Sequence, residues 1–178
     1  MKTTLIFFLF ASPVLAQNKF ADAAIAPGCG AEDARFDVKT HKGQHPIAQP
    51  ETGKALVYFI EDDSEYGGLF GPTTREGLDG VWVGATHGSS YFYVSVAPGE
   101  HHLCASLQPV GDSDKTQMRA VAHFTAEAGN VYYFRVKNSW RRDYGPVGAG
   151  VIDFAPLDSD EGLLLASTFS LSTFHLRK

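Results

Sequence analysis

The chain has 178 residues, 44% hydrophobic and 20% charged, which places it in the ordinary globular class at a length that suits one domain. Its formal net charge is −5 and no basic cluster stands out, which argues against a nucleic-acid or anionic-membrane footprint. The two cysteines do not form a C-x-x-C pair, so a thiol–disulfide oxidoreductase is not expected and one intramolecular bridge is possible.

Lys2, the apolar run 5–11 and Ser12-Pro13-Val14-Leu15-Ala16 precede the polar Gln17. That is the pattern of a secretory leader, 1–16, cleaved after Ala16. The apolar run is too short for a bilayer, which takes about 20 residues, so no membrane span is expected. The expected location is periplasmic or secreted. An oxidising compartment lets Cys29 and Cys104 pair, and a bridge closing so long a loop stabilises a fold by about 3 to 5 kcal/mol.

Residues 17–52 read as an arm tethered through Cys29, with a first short strand at 35–40 and a Pro- and Gly-rich loop from 41. Residues 54–61 are nearly continuous in apolar and β-branched types, the composition of a strand buried on both faces. Residues 62–78 read as a Gly-rich acidic loop. Leu78-Asp79-Gly80 then makes a hairpin-like turn into a strand at 81–85, because Asp-Gly tolerates positive φ.

Ala97-Pro98-Gly99-Glu100 has the type II turn pattern and joins strands 91–96 and 100–107. Alternation puts Phe92, Val94 and Val96 on the same side as His101, Leu103 and Ala105. Strand 117–125 follows with Ala120, Ala122 and Phe124 inward, then strand 131–137 with Tyr132, Phe134 and Val136 inward. These four strands predict one antiparallel meander. A loop at 138–146 and a last strand at 150–155 come next. Asp158 is placed to cap a short helix, with Glu161 reaching back in capping-box fashion and Gly162 weakening it.

The resulting division is a leader 1–16, an arm with its short strand 17–52, a sandwich domain 53–168 and a tail 169–178. Short strands separated by Gly and Pro turns indicate an all-β fold, an antiparallel β-sandwich of Ig-like or transthyretin-like kind with a short C-terminal helix.

Several of these segments carry a resemblance. Gly53-Lys54-Ala55-Leu56-Val57-Tyr58, Leu78-Asp79-Gly80, the Pro98-Gly99-Glu100-His101 turn, and Glu127-Ala128-Gly129 with Tyr132-Tyr133 resemble an exported bacterial family called domain of unknown function 2846. More distantly the chain is similar to PEGA and carboxypeptidase-regulatory sandwich modules. The resemblance covers about residues 53–160 and implies a fold, with no catalytic residues.

Two clusters invite chemistry. With Cys104 opposite Val121, His102 falls opposite His123, and the neighbouring registers add Ser95 and Tyr133 to the same row. Two imidazoles at cross-strand separation can share Zn²⁺ or Cu²⁺, with a third ligand from His41, His45 or Asp37; the plainer alternative is that they stack beneath the arm. In the loop 138–146, Trp140, Arg141, Arg142 and Tyr144 are the types enriched at recognition surfaces, while the alternative has Trp140 capping the core. Gly88-Ser89-Ser90 lacks the G-x-S-x-G frame of a nucleophile elbow. The carboxylate runs at 61–63 and 158–161 read as a loop and a helix start.

The expectation is therefore a non-enzymatic exported binding or structural module that needs no cofactor. Its partner would be an envelope protein, a secreted protein or a surface glycan. The alternative is a metal-binding protein or metal-dependent enzyme using the His102 and His123 face.

Overall fold

The structure, a computed structural model, describes residues 28–66, 71–109, 118–141 and 149–177. The expected leader, Arg142 and Tyr144 lie outside the described residues. The strands are β1 (Phe36–His41), β2 (Ala55–Asp62), β3 (Thr73–Leu78), β4 (Val81–His87) and β5 (Ser90–Val96). They continue with β6 (Gly99–Leu107), β7 (Arg119–Ala126), β8 (Val131–Arg141) and β9 (Ala149–Leu157), then the helix α1 (Ser159–Thr168) and β10 (Ser170–Leu176).

These form a six-stranded sheet, β1-β10-β5-β2-β8-β9, and a four-stranded sheet, β4-β3-β6-β7. The sheets pack face to face, so the fold is an all-β sandwich with a short C-terminal helix. Its pairing is antiparallel except at β2–β8 and β5–β10, which are parallel.

The shared core follows from alternation. Ala55, Val57 and Phe59 of β2 meet Phe92 and Val96 of β5, Leu103 and Ala105 of β6, and Phe134 and Val136 of β8. Each large apolar side chain buried this way contributes roughly 1.5–3 kcal/mol. Every residue of β2 is buried, as its unbroken apolar run requires. Its other face, Leu56, Tyr58 and Ile60, packs on Tyr91, Tyr133 and Ala166 of α1. Gly84 of β4 is needed where it stands, because a Cβ there would overlap the rings of Phe92 and Phe174.

The expected meander is corrected at two of its three junctions. β6 and β7 pair with His102 opposite His123 and Cys104 opposite Val121, in the expected register. β5, however, lies between β2 and β10, and β8 between β2 and β9, both in the other sheet. The turns at 97–99 and 127–130 therefore carry the chain from one sheet to the other. Alternation reports which face a side chain takes and not which strand lies beside it, so both arrangements satisfy the same pattern.

Three further expectations are corrected. The loop at 62–78 ends early, because β3 occupies Thr73–Leu78 and forms a hairpin with β4 through Asp79 (φ 50°) and Gly80 (φ 87°). The loop at 138–146 begins later, because Asn138, Ser139, Trp140 and Arg141 belong to β8 and pair with β9. The tail 169–178 is largely strand: β10 pairs with β1 along its whole length, so the sandwich reaches from Phe36 to Leu176.

Asp158 caps α1 by accepting from the amides of Asp160 and Glu161. The side chain of Glu161 pairs with Arg135 at 2.7 Å. The expected capping-box return is thus replaced by a tie from the helix to β8.

Candidate functional site

Most of the interior is apolar, but one end of it is not. Along β2 the inward positions run Ala55, Val57, Phe59 and then Glu61, with Asp63 next after the strand. β3 presents Thr74 and Glu76 to the same interior, β4 presents Thr86 and β8 presents Asn138. Glu61, Thr74, Glu76 and Thr86 are fully buried, and Asn138 is 1% exposed.

These side chains bond one another across the sheets. The Thr74 hydroxyl donates to Glu61 Oε1 at 2.5 Å, and the Asn138 amide donates to the same oxygen at 2.6 Å and to Asp63 Oδ1 at 2.9 Å. The Thr86 hydroxyl donates to Glu76 Oε1 at 2.5 Å. Glu61 and Asn138 stand on adjacent strands of the six-stranded sheet, whereas Thr74, Glu76 and Thr86 belong to the four-stranded sheet. The cluster is therefore a polar clasp between the two layers.

Its electrostatics follow from burial. Loss of water raises the Glu61 carboxyl well above the usual carboxylate range, and the neighbouring Asp63 and Glu76 push it further. Burial pushes Glu76 up to about 8 against the bond from Thr86. Asp63 is raised by burial, opposed by the Asn138 bond and by His87. At neutral pH, Glu76 is thus held mainly as the neutral acid, and Glu61 is shifted in the same direction.

The same end carries long connections. β2 and β8 run parallel and finish there, while β3 and β9 begin there. The segments joining β2 to β3, β6 to β7, and β8 to β9 all leave from it. Beside it, Tyr66, Gly71, Pro72, Thr73, Leu107, Gln108 and Pro109 line a groove of about 360 Å³.

The outer faces of the sheets are partly occupied by the chain itself, while the outward residues of β7, Val121 among them, stay exposed. The segment 28–34 lies on the four-stranded sheet, held by the Cys29–Cys104 bridge. Arg75 donates to the carbonyls of Glu32 and Ala34 at 2.9 and 2.8 Å, and its guanidinium lies 4.5 Å over the Trp82 ring, whose Nε1 donates to Ala31. On the six-stranded sheet, the Tyr58 hydroxyl accepts from the Ala48 amide and the Tyr91 hydroxyl donates to the Pro46 carbonyl. α1 covers Tyr133 beside them, with Gly162 directly against its ring.

The expected site residues are placed as follows. Cys29 and Cys104 are bridged. His102 and His123 face each other with ring centroids 6.5 Å apart, on the outer side of the four-stranded sheet. Ser95 and Tyr133 are in the other sheet, so the expected four-residue row is not formed. His41 bonds Thr173, His45 bonds the Phe169 carbonyl and Asp37 pairs with Arg177. Among the described residues, no group of three His, Cys, Asp or Glu side chains is arranged to hold a metal ion. Trp140 and Arg141 close β8 at the polar end.

Glu61 was visible in the sequence as part of an acidic run, but Thr74, Glu76, Thr86 and Asn138 were not singled out. A usable signal existed: Glu61 and Asp63 continue the inward period of β2 beyond Phe59. Compared with protein-family models, with curated proteins and with solved structures, the chain matches none.

Proposed function

We propose that the chain is an exported, non-enzymatic β-sandwich module that binds an envelope protein, a secreted protein or a surface glycan through the loops at its polar end. One observation carries this reading: the middle of each outer sheet face is covered by the chain's own segments, while the long connections gather at a single end. Trp140 and Arg141 lead into one of those connections, and Arg142 and Tyr144 follow in sequence. Loops displayed by a rigid scaffold are a common site of recognition. The bridge between Cys29 and Cys104 fits an oxidising compartment. Among the described residues, no helix is long and apolar enough to cross a membrane.

The test uses immobilised protein exposed to glycan arrays and to native envelope and culture-fluid fractions. Tyr144→Ala and Arg142→Ala are expected to weaken any ligand found by about tenfold or more at unchanged stability. One zinc or copper per purified chain, lost on His102→Ala or His123→Ala, would instead favour the metal-dependent alternative.

A further inference from the structure

The buried acids at the polar end create a hydrogen-bond problem that points beyond the recognition reading. Glu61, Asp63 and Glu76 supply six carboxyl oxygens, and the side-chain donors that reach them are the hydroxyls of Thr74 and Thr86 and the amide of Asn138, with the backbone amides of Glu76 and Thr86 also acting on Glu76. Glu61 Oε2, Glu76 Oε2, Asp63 Oδ2 and Asn138 Oδ1 are buried and have no partner when the acids are ionised. An unmatched buried acceptor costs about 1–3 kcal/mol, more if charged. Protons on Glu61 and Glu76 turn two of these acceptors into donors, and the Thr86 hydroxyl, bonded to Glu76, also acts on Glu61.

The charged surroundings offer little else to neutralise them. On β2, Asp63 faces the cluster and Asp62 turns away to the Ser64 amide. On β3, Arg75 points outward to the 28–34 segment. On β4, His87 acts on Asp63 and bonds Thr73 and the Pro72 carbonyl. On β8, Lys137 pairs with Glu65 and Arg135 with Glu161. β5 and β10 add only Ser90 and Ser172, which bond each other at 2.8 Å. The side chains that donate to the cluster's carboxyls, Thr74, Thr86 and Asn138, are neutral groups.

We infer that Glu61, Glu76 and Asn138, with Thr74 and Thr86, form a proton-operated latch that holds the two sheets together at the loop-bearing end. With both acids protonated the clasp is closed. Ionisation places like charges from β2 and β3 side by side in the interior, and the β3–β4 hairpin separates from β2 and β8. The device thus couples the pH of the exterior to the order of the end from which the connections leave, whatever those connections bind.

The sign follows from linkage. An acid whose folded value exceeds its unfolded value stabilises the fold most at low pH, and stability falls as pH rises from the unfolded value through the folded one. Glu76 alone, at about 8 against 4.5, raises the unfolding equilibrium constant about 100-fold between about pH 6 and about pH 9.

The experiment is urea unfolding of the disulfide-bonded protein across that range, in chelator, for the wild type and for Glu61→Gln with Glu76→Gln. The wild type is expected to lose at least about 100-fold in folding equilibrium, and the double variant to lose at least tenfold less. Flat wild-type stability, or equal losses in both proteins, would overturn the inference. So would a rescue of the pH 9 stability by added Ca²⁺, which would make the cluster a cation site. If the double variant does not fold, hydrogen exchange of the wild type, corrected for intrinsic rates, decides. Protection at the ends of β2, β3 and β8 should fall at least tenfold more than at β1–β10, and uniform behaviour would contradict the latch.

Discussion

The Asn138 amide nitrogen lies 2.6 Å from Glu61 Oε1, joining β8 to the end of β2. Its carbonyl oxygen is buried without a partner, so the side chain acts here as a donor to carboxyls. Asn138→Ala removes that donor and is expected to cost about 1–3 kcal/mol in urea unfolding at pH 6. Asn138→Asp should be much more costly at pH 8 than at pH 5, because it adds a further buried acid; an equal loss at both pH values would contradict this role.

Gly162 separates two explanations of helix stability. In an exposed helix, Gly→Ala stabilises by up to about 1 kcal/mol. Here a Cβ would overlap the Tyr133 ring, so Gly162→Ala is expected to destabilise by about 1–3 kcal/mol. A rise in thermal midpoint would show that α1 does not pack on Tyr133 as described.

Cys104 is fully buried and bridged to Cys29, which closes most of the four-stranded sheet into one loop with the 28–34 segment. The protein isolated from its native compartment should take up no thiol label before reduction. Replacing both cysteines by serine is expected to cost about 3–5 kcal/mol in the chain-entropy picture.

His101 offers a second, weaker pH dependence. Burial opposes its protonation, but the Ala97 carbonyl and the Asp79 carboxylate outweigh it and raise its pKa above 6.5. Stability from this contact is therefore full below 6.5 and is lost as pH rises through the higher folded value. Asp79 is partly exposed, so the effect is under about 1 kcal/mol. Asp79→Asn keeps an oxygen for the His102 amide and tolerates the positive φ, and it should flatten this step without removing the larger one at Glu61 and Glu76.

Much of the sandwich was legible because alternation reports faces: the apolar residues of β5, β6, β7 and β8 read as inward are those that line the core, and β2 is buried on both faces as its composition indicated. The β6–β7 register was legible too. What alternation cannot report is lateral neighbourhood, so β5 and β6, which line the core from opposite sheets, were read as neighbours in one sheet. β3 escaped notice because its inward face is Thr74 and Glu76 and its outward face Arg75, a pattern that looks like loop until the buried acid finds its partners. β10 alternates Ser172 and Phe174 inward, but its ladder partner β1 is some 130 residues away in the chain, a distance no local pattern spans. The polar end was half visible in Glu61. The rest depended on three other strands converging on it.

The central claim is that the two sheets are clasped at one end by buried acids that keep their protons well above the usual carboxylate range. Carbon-13 NMR of the Glu61 and Glu76 carboxyls, followed from about pH 4 to about pH 9 in the folded wild type, tests it most directly. The account predicts that neither carboxyl titrates near the ordinary 4.5, and that Glu76 ionises at about 8 with Glu61 also well above the ordinary value. Two carboxyls that both ionise at about 4 to 5 would contradict it.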